Sequence, residues 1–435
     1  MEYIILLAII LSLVSLIVLG VPLAVSLAAV AFSGIVITQG IDGLSVISTI
    51  TFRTVNNYVL TPIPLFIFMG ELLIFSGISK TAFDVAYKWL GRLPGGLAVA
   101  GNESCALFAA ISGSSPATTA TVGLVSIPEM LKRGYDKGLA TGSLAAGGAL
   151  GVLIPPSILM IIYGVAAEQS VGQLFMAGLI PGIMLDIMMS LYIIGRCSLN
   201  PELGPRARAI SWADTLISTW KLLPIFLLLL LILGTIYLGI ATPTEAGGIG
   251  AFGALCLVII YGKFTWSRLH DALVGTVTTT SFILLLFIAA HYFGYILSYL
   301  EIPQTVIRSI SGLEISRWWI MIALNIMYII MGCFMDPASI ILITAPIVIP
   351  IIQNLGFDLI WFGIVYVVNM EMGNVTPPFG FNLYVLKGIV PKDVSLDDII
   401  RGSLPFIVVQ SAALALVMIF PQIILWLPSK MVPMS

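Results

Sequence analysis

The sequence predicts an all-α integral membrane protein that crosses the bilayer many times and contains an internal repeat. Of its 435 residues 59% are hydrophobic and 9% are charged, and the mean hydropathy is +1.10. A soluble domain carries about 25% charged residues. Apolar runs long enough to span a hydrocarbon core of about 30 Å follow one another with few polar gaps. Glycine and proline residues also recur at one fixed distance along the chain.

The apolar runs predict about ten membrane-crossing helices. They cover residues 3–19, 22–40, 61–78, 138–168, 174–195, 222–240, 245–262, 272–300, 360–386 and 403–427. The first run lacks a basic n-region, so we interpret it as a membrane helix and not as a signal peptide.

Two further apolar regions, about 97–130 and about 318–352, are interrupted near their centres. The interruptions are Ser112-Gly-Ser-Ser-Pro116 and Gly332-Cys-Phe-Met-Asp-Pro337. We predict that each region is a re-entrant hairpin that enters and leaves the membrane on the same side. Small, polar and proline residues at a hairpin tip permit such a reversal.

The positions of lysine and arginine predict the orientation. With both hairpins re-entrant and the N-terminus outside, 15 of the 19 basic residues fall in the cytoplasm. The positive-inside rule expects this asymmetry. Both termini are then predicted to lie outside, in the periplasm of a bacterium. If one hairpin is counted as a crossing, the predicted side of the membrane is reversed for every segment after it. If both are counted as crossings, the predicted side changes only for the segments between them. The four basic residues that remain outside are Arg53, Arg308, Arg317 and Lys430.

An offset of 222 residues relates the two halves of the chain and predicts an internal repeat. Each half holds five crossings and one hairpin, and an odd number of crossings turns the second copy upside down in the membrane. We therefore expect inverted repeats at 1–200 and 222–435, joined by a cytoplasmic amphipathic linker at 201–221. The matching pairs are Pro128 with Pro350, Gly134 with Gly356, Asp136 with Asp358, Gly151 with Gly373, and Pro155-Pro156 with Pro377-Pro378.

The proline pairs break helices 138–168 and 360–386, and such breaks are typical of a transport site. A proline lacks the backbone donor and leaves preceding carbonyls without helical partners, so those oxygens are free to bind a hard monovalent cation. Half-helix N-termini at the hairpin tips suit a carboxylate on a solute. Hydroxyl and carboxylate groups at the tips add donors and acceptors: Ser112, Ser114, Ser115, Thr118, Thr119, Asp336 and Ser339.

At these residues the chain resembles the large membrane subunit of the TRAP (tripartite ATP-independent periplasmic) transporters. The strongest matching segments are Ile111-Ser-Gly-Ser-Ser-Pro-Ala-Thr118, Ala146-Gly-Gly-Ala-Leu-Gly-Val-Leu-Ile-Pro-Pro-Ser157 and Asn374-Val-Thr-Pro-Pro-Phe-Gly-Phe-Asn382. The resemblance implies an elevator mechanism, coupling to two or more Na⁺ ions, a carboxylated organic anion as solute and a location in the bacterial inner membrane. It also implies two partners, a small four-helix membrane subunit and a periplasmic substrate-binding protein.

The resemblance also carries site residues onto this sequence. Asp336 has no acidic counterpart in the first half, where the offset places Ser114. For the solute, the expected residues are Ser114, Thr118, Asp336, Ser339 and Asn382. For sodium, they are Ser112, Ser115, Gly151, Ile154 and Pro156 in the first half, and Gly332, Asp336, Gly373, Thr376 and Pro378 in the second.

Other ionisable residues have weaker interpretations. Glu103 and Glu371 lie within the expected mobile part, and a direct role in transport is as plausible for each as a structural one. Asp186 and His291 are expected to form hydrogen bonds between helices. Glu245 is expected to cap the helix that follows Thr242.

Three other function classes are weighed. A self-sufficient sodium and anion symporter of similar architecture would need no binding protein, and the motifs favour the TRAP assignment over it. A membrane-embedded enzyme finds no support, since the two histidines belong to no catalytic motif and the cysteines show no metal-ligand spacing. A channel fits paired inverted hairpins less well than alternating access does. The net charge of −2 argues against a nucleic-acid partner.

Overall fold

The computed structural model describes residues 2–206, 211–312 and 315–432, and within these ranges it contains helices and no strands. Long apolar runs place their backbone hydrogen bonds within each helix, which a lipid environment requires. Ten α-helices precede the linker: α1 Glu2–Val18, α2 Leu23–Gln39, α3 Ser45–Val55, α4 Pro62–Phe75, α5 Ile78–Leu90, α6 Gly96–Ser112, α7 Ser115–Lys132, α8 Lys137–Ala149, α9 Ile158–Ala166 and α10 Val171–Leu199.

The second half of the described chain has a similar succession of helices after the linker helix α11, Trp212–Thr219. Part of the predicted linker, residues 207–210, lies outside the described residues. The helices that follow are α12 Leu223–Tyr237, α13 Pro243–Ile260, α14 Trp266–Tyr299, α15 Ile302–Ser311, α16 Arg317–Gly332, α17 Pro337–Asn354, α18 Leu359–Val375, α19 Phe381–Ile389, α20 Leu396–Ile419 and α21 Gln422–Leu425.

Helix boundaries in the two halves follow the offset of 222 residues. Helices α6 to α9 and α16 to α19 begin within one residue of the positions that this offset relates. One difference stands out, because the single long helix α14 covers the positions of both α3 and α4. Pro62 and Pro64 at the start of α4 explain the interruption, since proline is tolerated in the first turn of a helix and not in its interior.

A Gly-aromatic-Asp motif, Gly134-Tyr-Asp136 in the first half and Gly356-Phe-Asp358 in the second, forms the same local structure in both copies. Gly134 and Gly356 have φ angles of 79° and 71°, the left-handed conformation in which glycine ends a helix. Asp136 and Asp358 then cap the next helix, each Oδ1 accepting a hydrogen bond of 2.8 Å from the backbone N–H three residues later. The expected local role of Glu245 is confirmed, since it forms a reciprocal capping box with Thr242.

Seven helices in the described part of the chain are long and apolar enough to cross a membrane, and five shorter helices are also apolar. The prediction of about ten crossings stays a prediction, because length and composition alone give these numbers. Helix α12 carries many exposed leucines, as expected of a helix that meets lipid. In contrast, all 17 residues of α18 are buried, which puts α18 in the interior of the fold.

Helix α20 joins the two halves by packing closely against α8. A Cβ atom added to Gly142 would lie 2.0 Å from the backbone oxygen of Gly402, so the two backbones touch where both residues lack a side chain. Small residues permit such close approach between membrane helices. The core of the second half therefore contains an element of the first.

Helices α3, α5 and α15 lie outside the predicted crossings. Helices α5 and α15 are amphipathic and carry charged residues, among them Lys80, Lys88 and Arg308. A search for continuous apolar runs passes over such helices, because the charges interrupt the run.

Candidate functional site

The first hairpin turns at Gly113, between the end of α6 and the start of α7, with a φ of 58°. Two polar side chains stabilise this turn. The Ser112 and Thr118 hydroxyls are hydrogen-bonded at 2.8 Å, and Thr118 also donates to the Ser114 carbonyl at 2.8 Å. Ser112, Ser115 and Thr118 are buried, whereas Ser114 is partly exposed. Hydroxyl and carbonyl oxygens are therefore concentrated at the first tip.

The break between α8 and α9 packs directly against this tip. A Cβ atom on Gly151 would lie 2.5 Å from the Ser114 carbonyl oxygen, and one on Gly113 would lie 2.8 Å from the Pro156 carbonyl oxygen. The Ile158 N–H donates to the Gly113 carbonyl at 3.4 Å. The Pro155–Pro156 peptide bond is cis. Glycine at both contact points is what lets two stretches of backbone meet here.

The fold thus brings together four of the five first-half residues expected to bind sodium, namely Ser112, Ser115, Gly151 and Pro156. The fifth, Ile154, is buried in the same break, and its side chain packs toward Gly182 of α10.

The second tip is built from backbone contact and one carboxylate. A Cβ atom on Gly373 would lie 2.8 Å from the Gly332 Cα, so α16 and α18 touch at this glycine pair. The Gly380 N–H donates to the Cys333 carbonyl at 3.3 Å, which ties the tip to the second break. Asp336 caps α17 by accepting from the Ser339 N–H at 3.0 Å and from the Ser339 hydroxyl.

Several residues of the second tip are accessible. Phe334 and Phe379 have 60% and 53% of their surface exposed, and their rings lie 5.6 Å apart. Pro378 is exposed, and Thr376 and Asp336 are partly exposed. The Thr376 hydroxyl donates to the Met372 carbonyl at 2.5 Å. The second break also has a cis bond, between Pro377 and Pro378.

Asn382 belongs to the second half but contacts the first tip. Its Oδ1 accepts a hydrogen bond of 3.0 Å from the Ser115 hydroxyl, and its Nδ2 donates to the Ala145 carbonyl at 2.9 Å. The side chain is completely buried. Asn382 therefore links α7, α8 and α19 within the fold.

A buried polar cluster between α6 and α10 joins Glu103 and Asp186, which the sequence analysis treated separately. Asn102 donates to Asp186 Oδ1 at 2.6 Å and to the Ser190 hydroxyl at 3.2 Å, and Ser190 donates to Glu103 at 3.0 Å. Asp186 and Ser190 are four residues apart and so lie on one helix face, and this spacing could have predicted the cluster from the sequence. Asp186 thus forms the interhelical hydrogen bond expected of it.

Glu371 has a different environment from the other acidic residues. It is completely buried in α18, and neither carboxylate oxygen has a hydrogen-bond partner within the described residues. An unpaired buried carboxyl group is costly to maintain in its charged form. Its position two residues before Gly373 puts it beside the second tip.

A cavity of about 810 Å³ lies between α3, α14, α17 and the turn after α9. Its polar lining includes Arg53, Glu168, His291 and Gln353. His291 Nδ1 lies 2.8 Å from the Phe287 carbonyl oxygen, a hydrogen bond within its own helix and not the bond between helices that was expected. The lining contains residues from both halves but none from either hairpin tip.

The described residues fit a hard monovalent cation better than a transition metal. Within the described part of the chain no group of three or more histidine, cysteine or acidic side chains could hold a metal ion. The first tip offers neutral hydroxyl and carbonyl oxygens, and the second adds the carboxylate of Asp336. Oxygen ligands of this kind suit hard cations.

Residues 10–423 match the profile of the family described as the tripartite ATP-independent periplasmic transporter, DctM component. The chain belongs to this family. DctM-family proteins are large permease subunits that function in the inner membrane with a small membrane subunit and a periplasmic binding protein. The family assignment made from the motifs is confirmed.

Relatives of this DctM-family chain carry different solute names. It is 38% identical over 381 residues to the C4-dicarboxylate TRAP transporter large permease protein of Pseudomonas aeruginosa, covering 87% of this chain and 88% of the relative. It is 34% identical over 407 residues to the isethionate TRAP transporter permease protein of Oleidesulfovibrio alaskensis, covering 93% of this chain and 64% of that longer relative.

The fold also resembles that of a solved structure. The YdaH transporter of Alcanivorax borkumensis superimposes with a TM-score of 0.61 at 14% identity, covering 87% of this chain and 89% of that one. At this level of identity the likeness concerns the fold alone.

Proposed function

We propose that this DctM-family permease imports a small carboxylated organic anion together with two or more Na⁺ ions, by an elevator mechanism. The observation that carries the proposal is the pair of hairpin tips, each packed against a helix break. At both places backbone carbonyls and polar side chains meet inside an otherwise apolar protein.

The sodium ions are assigned to the two tips and their breaks. In the first half the ligands are the Ser112 and Ser115 hydroxyls with carbonyls of Gly151, Ile154 and Pro156. In the second half they are Asp336 and the carbonyls of Gly332, Gly373, Thr376 and Pro378. The breaks support this assignment, because a proline has no N–H to donate to a preceding carbonyl, which is then free to bind a cation.

The solute is assigned to the space between the tips, with Ser114, Thr118, Asp336, Ser339 and Asn382 as its expected contacts. Ser114 and Asp336 are partly exposed, so these two are the first candidates for contact. The N-termini of α7 and α17 begin at the tips and favour a negative charge.

The two named solutes of the relatives, a C4-dicarboxylate and isethionate, share an acid group and little else. Isethionate carries a sulfonate in place of a carboxylate, so the acid group is the feature that we expect the tips to recognise. The rest of the solute is expected to be selected with the binding protein.

In the proposed movement, α6 to α9 and α16 to α19 slide as one body against a scaffold that includes α1, α2 and α12 to α14. The interlocked contacts of Asn382 with α7 and α8 support a single moving body, because they join elements of both halves. Both termini are assigned to the periplasm. One cation that crosses a potential of 100 mV contributes about 2.3 kcal/mol, so two Na⁺ ions can drive the accumulation of a monoanion.

Uptake into proteoliposomes tests the proposal. The vesicles contain this chain, its small four-helix membrane subunit and the cognate periplasmic binding protein, and radiolabelled carboxylates and sulfonates are offered with and without an inward sodium gradient. Uptake that requires both sodium and the binding protein supports the proposal. Sodium-driven uptake without the binding protein supports a self-sufficient symporter instead, and sodium-independent uptake contradicts the coupling.

A further inference from the structure

A second cavity, of about 400 Å³, lies between α5, α7 and the linker helix α11. Four basic side chains line it, and two acidic residues, Asp84 and Glu129, offset part of their charge. The cavity therefore carries a net charge of about +2, and it takes no part in the transport function proposed above. Its basic lining residues are Lys80, Lys88, Arg133 and Lys221.

Within the described ranges, one of these four basic residues is neutralised by an ion pair. Arg133 contacts Glu129 at 2.6 Å and lies over the Tyr87 ring. Among the described residues, none of the three lysines lies within ion-pair distance of a carboxylate, and Lys88 instead donates to the Ser218 hydroxyl. Three lysine ammonium groups thus surround one space without a matching number of acids.

The surface beside the cavity is apolar and aromatic. Helix α11 and the turn that follows it expose large side chains, with Trp212 and Ile217 of α11 at 62% and 64% exposure and Trp220, the first residue after α11, at 70%. The helix is fixed to α5 by the Trp89 indole, which donates to Thr219 at 2.9 Å and lies edge-on to Trp212. An amphipathic helix with exposed tryptophans is typical of the boundary between lipid headgroups and acyl chains.

We propose that this cavity binds the phosphate group of an anionic phospholipid, whose acyl chains lie against the exposed face of α11. Basic pockets beside membrane helices favour such headgroups, because lysine ammonium groups pair with phosphate oxygens. The exposed tryptophans favour a lipid over free phosphate, which would contact none of them. A bound lipid would bridge hairpin helix α7 and linker helix α11; a restraint on movement follows only if the elevator function proposed above is correct.

Native mass spectrometry of the full chain tests the site without any transport assay. Phosphatidylglycerol and phosphatidylcholine are offered at equal concentration to the wild type and to the double variant K80A/K221A. We expect the wild type to retain phosphatidylglycerol preferentially and the variant to bind it about tenfold more weakly. The variant K80R/K221R, which keeps both charges, is expected to retain the lipid.

The matched control is K263A/K392A, which removes two charges from exposed positions outside the cavity. Binding by K80A/K221A equal to that of this control would overturn the proposal. Soluble glycerophosphoglycerol and inorganic phosphate are offered as competitors. Displacement of the lipid by either one at comparable concentration would identify a free phosphate site and would also overturn it. Because the readout is lipid retention, failure here is distinct from failure of sodium-coupled uptake.

Discussion

The two hairpin tips lie at matching positions in the two halves, yet the first is closed by side chains and the second by backbone. At the first tip hydroxyls bond to one another, and Asn382 from the other half completes the network. At the second tip two glycines touch, Asp336 caps α17, and two phenylalanines remain exposed. An inverted repeat can thus preserve backbone breaks while each copy acquires its own chemistry.

This difference gives the two tips distinct expected roles. A cation at the first tip would sit in a buried shell of neutral oxygens, whereas one at the second would have a carboxylate and a more accessible surface. We therefore expect the first tip to be sensitive mainly to packing and the second mainly to charge. The following predictions test this contrast, from the largest expected effect to the smallest.

The largest effect is expected from glycine substitution at the breaks. In Gly151→Ala the new Cβ would lie 2.5 Å from the Ser114 carbonyl oxygen, and in Gly373→Ala 2.8 Å from the Gly332 Cα. Backbone cannot move aside as a side chain can, so we expect uptake to fall at least about tenfold in both, and further for Gly151→Ala. Gly195→Ala is the control, since its Cβ would meet nothing within 4 Å. Wild-type uptake by Gly151→Ala would contradict the close packing of tip and break.

Charge at the second tip comes next. Asp336→Asn keeps the oxygen that caps α17 but removes the negative charge. We expect the sodium concentration for half-maximal uptake to rise about tenfold, with little change in melting temperature, because an opposite charge beside a bound cation is lost. Asp42→Asn, at an exposed turn residue, is the matched control. An unchanged sodium dependence would contradict sodium binding by Asp336 and would leave its only role as the cap of α17.

Substitutions in the side-chain network of the first tip are expected to lower the stability of the protein. Asn382→Ala leaves the buried Ser115 hydroxyl without its acceptor and removes the side-chain donor to the Ala145 carbonyl, which costs about 1–3 kcal/mol. We expect a lower melting temperature for this variant and a smaller decrease for Ser115→Ala. The double variant should lose less than the sum of the two, because both remove the same hydrogen bond. Ser411→Ala, which removes an exposed hydroxyl bonded within its own helix, serves as the control. Additive losses of stability in the double variant would argue against the hydrogen bond between Ser115 and Asn382.

The smallest effect concerns the start of α8. Lys137 forms an ion pair of 3.0 Å with Asp393, and its hydrogen bond to that carboxylate holds the pKa of Asp393 below its usual range. The corresponding position in the second half is Leu359, so this pair belongs to one copy only. A depressed pKa stabilises the fold above the unfolded-state value near 4 and ceases to do so as the pH falls through the folded-state value.

We therefore expect Asp393→Asn to lower the melting temperature by no more than about 1 °C at pH 7, since the pair is exposed. In a thermal unfolding series, the difference from wild type should shrink as the pH falls below about 4 and vanish once the pH is below the folded-state pKa of Asp393. A difference that grows toward acidic pH would contradict this assignment.

The residues that mark the repeat have local conformational roles, although the sequence analysis used them only as matching positions. Gly134 and Gly356 adopt a left-handed conformation, and Asp136 and Asp358 cap helices. Both roles depend only on residues nearby in the sequence. The helix breaks were predicted from the proline pairs themselves. Helices α5 and α15 were missed because their charges interrupt an apolar pattern, and the separation of α3 from α4 depends on two prolines that α14 lacks.

Side-chain partners far apart in the chain could not be read in the same way. Asn382 stays a predicted solute contact, but its hydrogen bonds to Ser115 and to Ala145 were not predicted. Glu103 and Asp186 were considered singly, although Asn102 and Ser190 join them. A polar residue in an apolar helix suits a ligand and a neighbouring helix equally well, and only the packing of the helices distinguishes the two.

The contact between Gly142 and Gly402 has a consequence for biosynthesis. Helix α8 ends at Ala149, but the backbone against which it packs most closely belongs to α20, which begins only at Leu396. A nascent chain that has completed the first half must hold α8 in the membrane with its closest surface uncovered until α20 leaves the ribosome. The interval between the synthesis of α8 and that of α20 is therefore the one in which a quality-control protease would recognise the unfinished protein.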